Sequence, residues 1–210
     1  MKVIAFAGLA RAGKTTAAKM ASKWCISNGY KPVIMSFAEP MKRAAARIGL
    51  SKDNDPEKYR SVLQRWGSTR RDPEYKPGIT GPDYWVNRML MELVEAKVDE
   101  KDLYRSCDSF NATSIFSETV VIFDDCRYLN EVEMIGTING IVVFVDGISR
   151  ISDPLAQWRQ HESEMMAWAY TFGQLPDDVF DYYVINDKTQ AALQKKINNM
   201  MPKWMEVCTT

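Results

Sequence analysis

A chain of 210 residues with 46% hydrophobic side chains carries enough apolar material for one compact domain with a substantial core. Its 27 basic and 27 acidic residues cancel, which argues against a global positive field that would recruit nucleic acid or an anionic membrane surface. Cys25, Cys107, Cys126 and Cys208 are widely spaced and form no CxxC pair, so neither a zinc site nor a disulfide framework is expected, and the thiols read as reduced and cytoplasmic.

In chain order, Val3 to Ala7 is apolar on both faces and ends in Gly8, the pattern of a buried parallel strand. Preceded by a single lysine, this run is too short for an export signal, and no stretch approaches the roughly 20 apolar residues of a membrane span. The sequon at Asn111 is therefore not expected to meet a glycosylation machinery. Lys14 to Ser27, rich in Ala, Lys and Met without proline, predicts a helix closed near Asn28 and Gly29. Lys31 to Phe37 predicts a second strand, after which Pro40 opens a helix that stops at Gly49. Pro56 to Trp66 predicts a helix, and Gly67 to Pro82 an irregular, proline-bearing loop suited to a working surface. Asp83 to Lys97 predicts an amphipathic helix capped by Asp83, with Trp85, Met89 and Leu93 on its apolar stripe. Beyond a loop-like stretch, Thr119 to Phe123 predicts a strand ending in Asp124 and Asp125, then a helix from about Tyr128 to Ile138. Ile141 to Val145 and Tyr182 to Ile185 predict the last two strands, and Thr189 to Met201 the last helix.

Alternating strands and helices predict a doubly wound α/β sheet, mostly parallel and covered on both faces. Ligands in such sheets bind at the carboxyl ends of strands. That edge gathers Gly8 to Thr16, Phe37 to Lys42, Asp124 to Arg127, Asp146 to Arg159 and Asn186 to Lys188.

The segment Gly8-Leu9-Ala10-Arg11-Ala12-Gly13-Lys14-Thr15 satisfies GxxxxGK[ST] between a predicted strand and a predicted helix. Glycines let backbone N–H groups turn inward around phosphate oxygens, and the helix adds its positive end. In this pattern Lys14 reaches the β and γ phosphates of ATP, and the Thr15 hydroxyl binds Mg2+. Thr16 either helps through the helix N-terminus or caps the turn. At the end of the third strand, Asp124 and Asp125 stand beside Arg127. An acid there can hold magnesium or orient an attacking group, and a planar cation two residues on can grip a phosphate. The same acids also suit a turn or a helix N-cap.

Several blocks together carry a resemblance: GLARAGKTT (8–16), FAEPMKRA (37–44), QRWGSTRRD (64–72) followed by PDYW (82–85), DDCRYLNEVEMI (124–135), HESE (161–164) and DYYVINDKTQAAL (181–193). In that order the chain resembles the bacteriophage deoxynucleoside monophosphate kinases, within the P-loop nucleoside and nucleotide kinase superfamily. The likeness covers nearly the whole length, excepting about residues 99–118 and the last few. It implies a single P-loop kinase domain with a five-stranded parallel sheet, an acceptor-binding insert over about 38–98 and a lid over about 146–165. Asp125 and Arg127 match the family's DxR step, where acid and arginine act near the acceptor phosphate; Glu131, one turn later, either orients Arg127 or is an exposed helix glutamate. Phe37 and Lys42 match the start of the insert. Gln64, Gly67, Arg70 and Arg71 match the border of the acceptor, and Trp85 is either core or a base-stacking platform. Arg150 and Arg159 are the lid's candidates for the transferring phosphoryl group. His161, in a block that resembles the family's H-x-[ST]-E signature, suits helix capping or lid anchoring better than proton transfer. Asn186, Asp187 and Lys188 match the segment that wraps adenine. The methionines at 165, 166, 200 and 201 read as core or helix packing.

The resemblance implies transfer of the ATP γ-phosphoryl group to a deoxynucleoside monophosphate (dNMP) in the cytoplasm, with no nucleic acid or membrane partner and with a homodimer left open. Two alternatives remain open on the sequence: a P-loop kinase for another acceptor, such as a dephospho-coenzyme A or a polynucleotide 5′-hydroxyl, and a nucleotide-dependent regulatory switch. The loop DPEYKPGITGP (72–82) departs from the family pattern and leaves the acceptor's identity open.

Overall fold

The computed structural model describes residues 1–91, 93, 118–150 and 161–208. Contacts divide the chain into two compact units, Met1–Ser36 with Thr113–Thr210, and Phe37–Ala112. The first unit is built on five parallel strands, β1 (Lys2–Ala7), β2 (Lys31–Met35), β3 (Thr119–Cys126), β4 (Ile141–Asp146) and β5 (Tyr182–Ile185), in the order β2-β3-β1-β4-β5. This is an α/β fold with P-loop-like topology, as the alternation of elements predicts. β1, with every residue buried, lies at the centre between β3 and β4.

Four helices of this unit lie wholly within the described residues. Helix α1 (Lys14–Ser27) leaves the loop after β1, and residues 129–137, 162–171 and 190–207 supply three more. The main core lies where α1 and the last helix meet the sheet: Phe6, Ile122 and Val143 pack with Ala17, Ala21, Leu193, Ile197 and Trp204. In the second unit, α2 (Glu39–Arg47) and α3 (Pro56–Arg71) precede α4, whose described helical residues are 84–91 and 93. The remaining helices of the first unit are therefore α5 (Leu129–Thr137), α6 (Glu162–Thr171) and α7 (Gln190–Val207).

Several boundaries differ from expectation, each for a local reason. α3 continues five residues past Trp66, so Gln64, Gly67, Arg70 and Arg71 all lie on a helix instead of straddling a loop. It is started by Asp55, whose side chain accepts from the Lys58 N–H at 3.0 Å, and it stops at Asp72, held extended before Pro73. β3 runs on through Asp124 and Asp125 to Cys126, so those acids are strand residues, and the N-cap of α5 is Tyr128. β2 ends at Met35, short of Phe37. α7 does not stop before Pro202 but carries it inside the helix, because Trp204 and Met205 beyond it are both buried in the core. α6 has no counterpart among the predicted elements; on it Met166 is buried as read, whereas Met165 is exposed.

Among the described residues no helix is long and apolar enough to cross a membrane. Cys25, Cys126 and Cys208 are free and buried, and burial pushes each thiol up, that of Cys25 to about 11. Such thiols are poor nucleophiles. Cys107, Asn111 and all but the last residue of the loop-like stretch at 99–118 lie outside the described residues, as does the end of the Asp83 helix; Glu118 itself is helical.

Candidate functional site

The loop between β1 and α1 owes its shape to residues with unusual backbone. Gly8, Arg11 and Gly13 have φ of 134°, 68° and 105°. Alternation of left-handed and ordinary residues turns successive N–H groups to one side and makes a concave anion site. A side chain at either glycine has no room: a Cβ at Gly8 would lie 2.4 Å from the Val145 carbonyl oxygen, and one at Gly13 would lie 2.4 Å from Nδ2 of Asn186. Gly13 is also the N-cap of α1, and no acidic residue occupies that helix's first turn. The positive end of α1 therefore faces the loop, with Thr15 exposed and Thr16 half-buried on the first turn.

Lys14 curls back over this loop. Its Nζ donates to the carbonyls of Gly8 at 2.7 Å and Leu9 at 3.0 Å, and the residue is 5% exposed. Burial is the main reason its pKa falls from 10.5 to about 7; Arg127 lowers it further, while Glu164, Asp125 and Asp124 oppose the fall. An ammonium so placed gains strongly from any anion brought to the loop.

The second group of residues stands one strand away. Ala7, directly before the loop, pairs with Cys126, between Asp125 and Arg127. Asp125 accepts a short hydrogen bond from the Ser36 hydroxyl at the end of β2. Arg127 has a 31% exposed side chain and pairs through Nη1 with Oε1 of Glu164. Burial works against its charge, but Glu164, Asp125 and Glu131 together hold its pKa above the usual guanidinium value. Glu131 is buried and not an exposed helix glutamate. Its Oε2 accepts from the backbone N–H groups of Arg127 at 2.7 Å and Tyr128 at 3.2 Å, fixing the turn into α5.

Glu164 is not among the candidates that the sequence marks, where the histidine is the conspicuous residue of HESE. It sits in the first turn of α6 and is 2% exposed; Oε2 accepts from the Ala10 N–H at 2.6 Å while Oε1 meets Arg127. His161 is the N-cap of that helix, its Nδ1 accepting from the Ser163 N–H at 3.2 Å. The signal that could have exposed Glu164 is its place three residues after a capping residue, where a carboxylate is favoured by the helix end.

A third group comes from the ends of β4 and β5. Asn186 is buried, donates through Nδ2 to the Ala12 carbonyl at 2.8 Å, and accepts from Arg150 Nη1 at 2.9 Å. Its backbone N–H reaches the Asp146 carbonyl at 2.6 Å. Gly147 backs the same part of the loop, with room for no Cβ beside Ala12. Asn186 thus shapes the cradle from behind. Asp187 and Lys188 are exposed; Lys196 stands 3.4 Å from Asp187, whose own backbone hydrogen bond chiefly lowers its pKa. A cavity of about 480 Å3 opens nearby, lined by Thr16, Lys19, Lys23, Gln190 and Gln194.

The remaining sequence candidates belong to the second unit. Gln64, Gly67 and Arg71 fall at helical spacing on one side of α3. Arg70 instead stacks near the rings of Tyr75 and Tyr84, at 5.8 and 5.6 Å, in a cavity of about 400 Å3 that Trp66, Trp85 and Arg88 also line. Trp85 is buried, and its Nε1 donates to the Gly67 carbonyl at 3.2 Å, so it serves the packing of this unit while also lining the cavity. Phe37 is buried, and Lys42 lies 4.0 Å from Glu39 on α2. Arg159 and the other residues at 151–160 of the expected lid lie outside the described residues.

Compared with models of known protein families and with curated proteins, the chain matches none of either.

Proposed function

We propose that the protein is a phosphotransferase that moves the γ-phosphoryl group of ATP to a deoxynucleoside 5′-monophosphate, giving ADP and the diphosphate. One observation carries the reading: the glycine-rich cradle and the Asp125–Arg127 pair leave the same edge of two adjacent strands, with Ala7 paired to Cys126. A donor held in the first and an acceptor phosphate gripped by the second would meet across one strand spacing, roughly 5 Å. The sequence resemblance to the phage deoxynucleoside monophosphate kinases supports the choice of acceptor class.

The residues fit ATP with magnesium. The loop's backbone takes a shape in which no Cβ fits at Gly8 or Gly13, Lys14 supplies a cation, and Thr15 is exposed at the first turn of α1. When bound, magnesium would offset charge on the β and γ phosphates. Thr15 would hold it, with Asp125 as a second oxygen donor in reach of the same edge. An acceptor phosphate oxygen attacks the γ-phosphorus as the bond to the bridging oxygen breaks and ADP leaves. Because that acceptor is already an anion, Asp125 need remove no proton. Catalysis rests on positioning and on neutralising charge, through Lys14, Arg127 and the arginines expected of the lid, Arg150 and Arg159.

The test is ADP release from ATP and magnesium with each common dNMP, with modified pyrimidine monophosphates, and with no acceptor. Turnover that depends on a monophosphate is expected. Acceptor-independent turnover, or none with any monophosphate, would overturn the reading.

A further inference from the structure

We infer that Glu164 is a positioning residue that ties the phosphate cradle to Arg127, so that donor and acceptor groups are set by one buried carboxylate. The inference rests on the phosphotransferase reading for its consequence, but the tie itself is a matter of geometry. Both carboxylate oxygens of Glu164 are engaged, one by the Ala10 N–H at 2.6 Å and the other by the Arg127 guanidinium. The three residues come from separate elements: the loop after β1, the end of β3 and the first turn of α6.

Two further features show that the carboxylate is built in and not merely present. It lies in the positive first turn of α6, which His161 caps, and a negative side chain is favoured there. It is 2% exposed, and a charge that deep persists only where hydrogen bonds and a partner cation satisfy it. Arg127 in turn has its backbone N–H held by Glu131 at 2.7 Å. With backbone and one guanidinium nitrogen both fixed, the remaining N–H groups of its fork have a defined direction in which to meet an anion. Glu164 also stands against Lys14 electrostatically, where it helps keep the ammonium protonated. A single side chain therefore acts on the loop, on the lysine and on the acceptor-side arginine.

Glu164→Gln separates the two halves of the tie. The amide oxygen can still accept from the Ala10 N–H, but the NH2 group then faces the donors of Arg127, so that bond is lost. In Glu164→Gln, kcat/KM for the dNMP is expected to fall by about 10- to 100-fold, while affinity for a non-hydrolysable ATP analogue, measured by calorimetry, changes by less than about 3-fold. In an Arg127→Ala background, with ATP saturating so that Lys14 is held charged by the phosphates in either case, the same substitution is expected to cost less than about 3-fold, because the acceptor-side group it acts through is gone. A purely structural role would give the same loss in both backgrounds, and that result would overturn the inference. So would acceptor kinetics within about 2-fold of the parent protein. Glu164→Asp keeps the charge but is one methylene short of spanning both partners, and is expected to show a smaller loss of the same kind; it serves where the glutamine variant does not fold. Should the parent protein transfer phosphoryl groups to no monophosphate, the phosphotransferase reading fails, and the tie is still read by side-chain NMR of labelled arginine. Slowly rotating guanidinium signals of Arg127 are expected in the parent protein and their collapse in Glu164→Gln; unchanged signals would overturn the tie.

Discussion

Lys14 shows how a single residue can be legible in identity and hidden in state. The motif names it as the phosphate-reaching lysine, but no pattern of residue types announces that burial brings its pKa to about 7. An unfolded lysine titrates near 10.5, so between about 7 and 10.5 the unfolded chain binds more protons than the folded one. The contribution of Lys14 to stability therefore rises with pH across that window, and below about 7 the full penalty of burying the ammonium is felt. Phosphates reverse this by favouring the charged form. At pH 8 the binding of ATP is expected to take up close to one proton, read by calorimetry in buffers of different ionisation enthalpy, and Lys14→Met is expected to abolish the uptake. Binding that takes up no proton in the parent protein would show that Lys14 does not meet the phosphates. Asn186 carries a related lesson. By resemblance it matches the adenine segment, and in addition its side chain bonds the Ala12 carbonyl and leaves no space for a Cβ at Gly13. The glycine is required by the motif's backbone and by a neighbour 173 positions away, which spacing alone does not reveal.

At the scale of elements, what could be read in advance was what local chemistry dictates. β5 and α1 begin and end where the run of residue types says they should, because apolar runs and a Gly13 to Asn28 frame are local signals. The failures occurred where packing overrode a local rule. Pro202 is a helix breaker by propensity, costing about 3 kcal/mol in a helix interior. α7 nevertheless runs through it to Val207, since ending at Met201 would strip Trp204 and Met205 from the core. Trp204 is wholly buried, edge-on to Phe6 with ring centroids 6.1 Å apart and beside Tyr182 at 5.8 Å. Trp204→Ala is therefore expected to destabilise the protein by about 3–5 kcal/mol, whereas Phe172→Ala, at a side chain 62% exposed, is expected to cost less than about 1 kcal/mol. Denaturant midpoints at constant slope check both. A small loss at Trp204 would mean that the end of α7 is not part of the cooperative core. α6 is unmarked in the sequence for a different reason: it has no clear apolar stripe, with Met165 exposed and Glu164 buried, so periodicity carries no signal.

For the whole molecule, the sheet was foreseeable because parallel α/β order follows from alternation and short connections, and the observed β2-β3-β1-β4-β5 order puts the cradle at the centre. The candidate site was legible only in part. Sequence order supplied the loop, Asp125 and Arg127, but Glu164 and the second role of Asn186 required distant elements to be brought together. The division of the chain has a consequence of its own. The first unit, Met1–Ser36 with Thr113–Thr210, contains all five strands, α1 and every residue of the Lys14, Arg127, Glu164 and Asn186 network. The second, Phe37–Ala112, is one continuous insertion between two strands that pair with each other. A right-handed crossover must carry the chain from the end of β2 back to the start of β3, so the insertion cannot simply be cut out. Replacing Phe37–Ala112 by a flexible linker of about 15 residues spans that return with slack at about 5–6 Å times the square root of its length. Such a variant is expected to unfold in one cooperative transition and to bind an ATP analogue within about 10-fold of the parent affinity, yet to release no ADP in response to a dNMP. If it has no cooperative transition, the sheet depends on the second unit for its stability. If it binds the analogue and still transfers phosphoryl groups to the acceptor, then the insertion, with Gln64, Arg70 and Arg71, has no part in acceptor use.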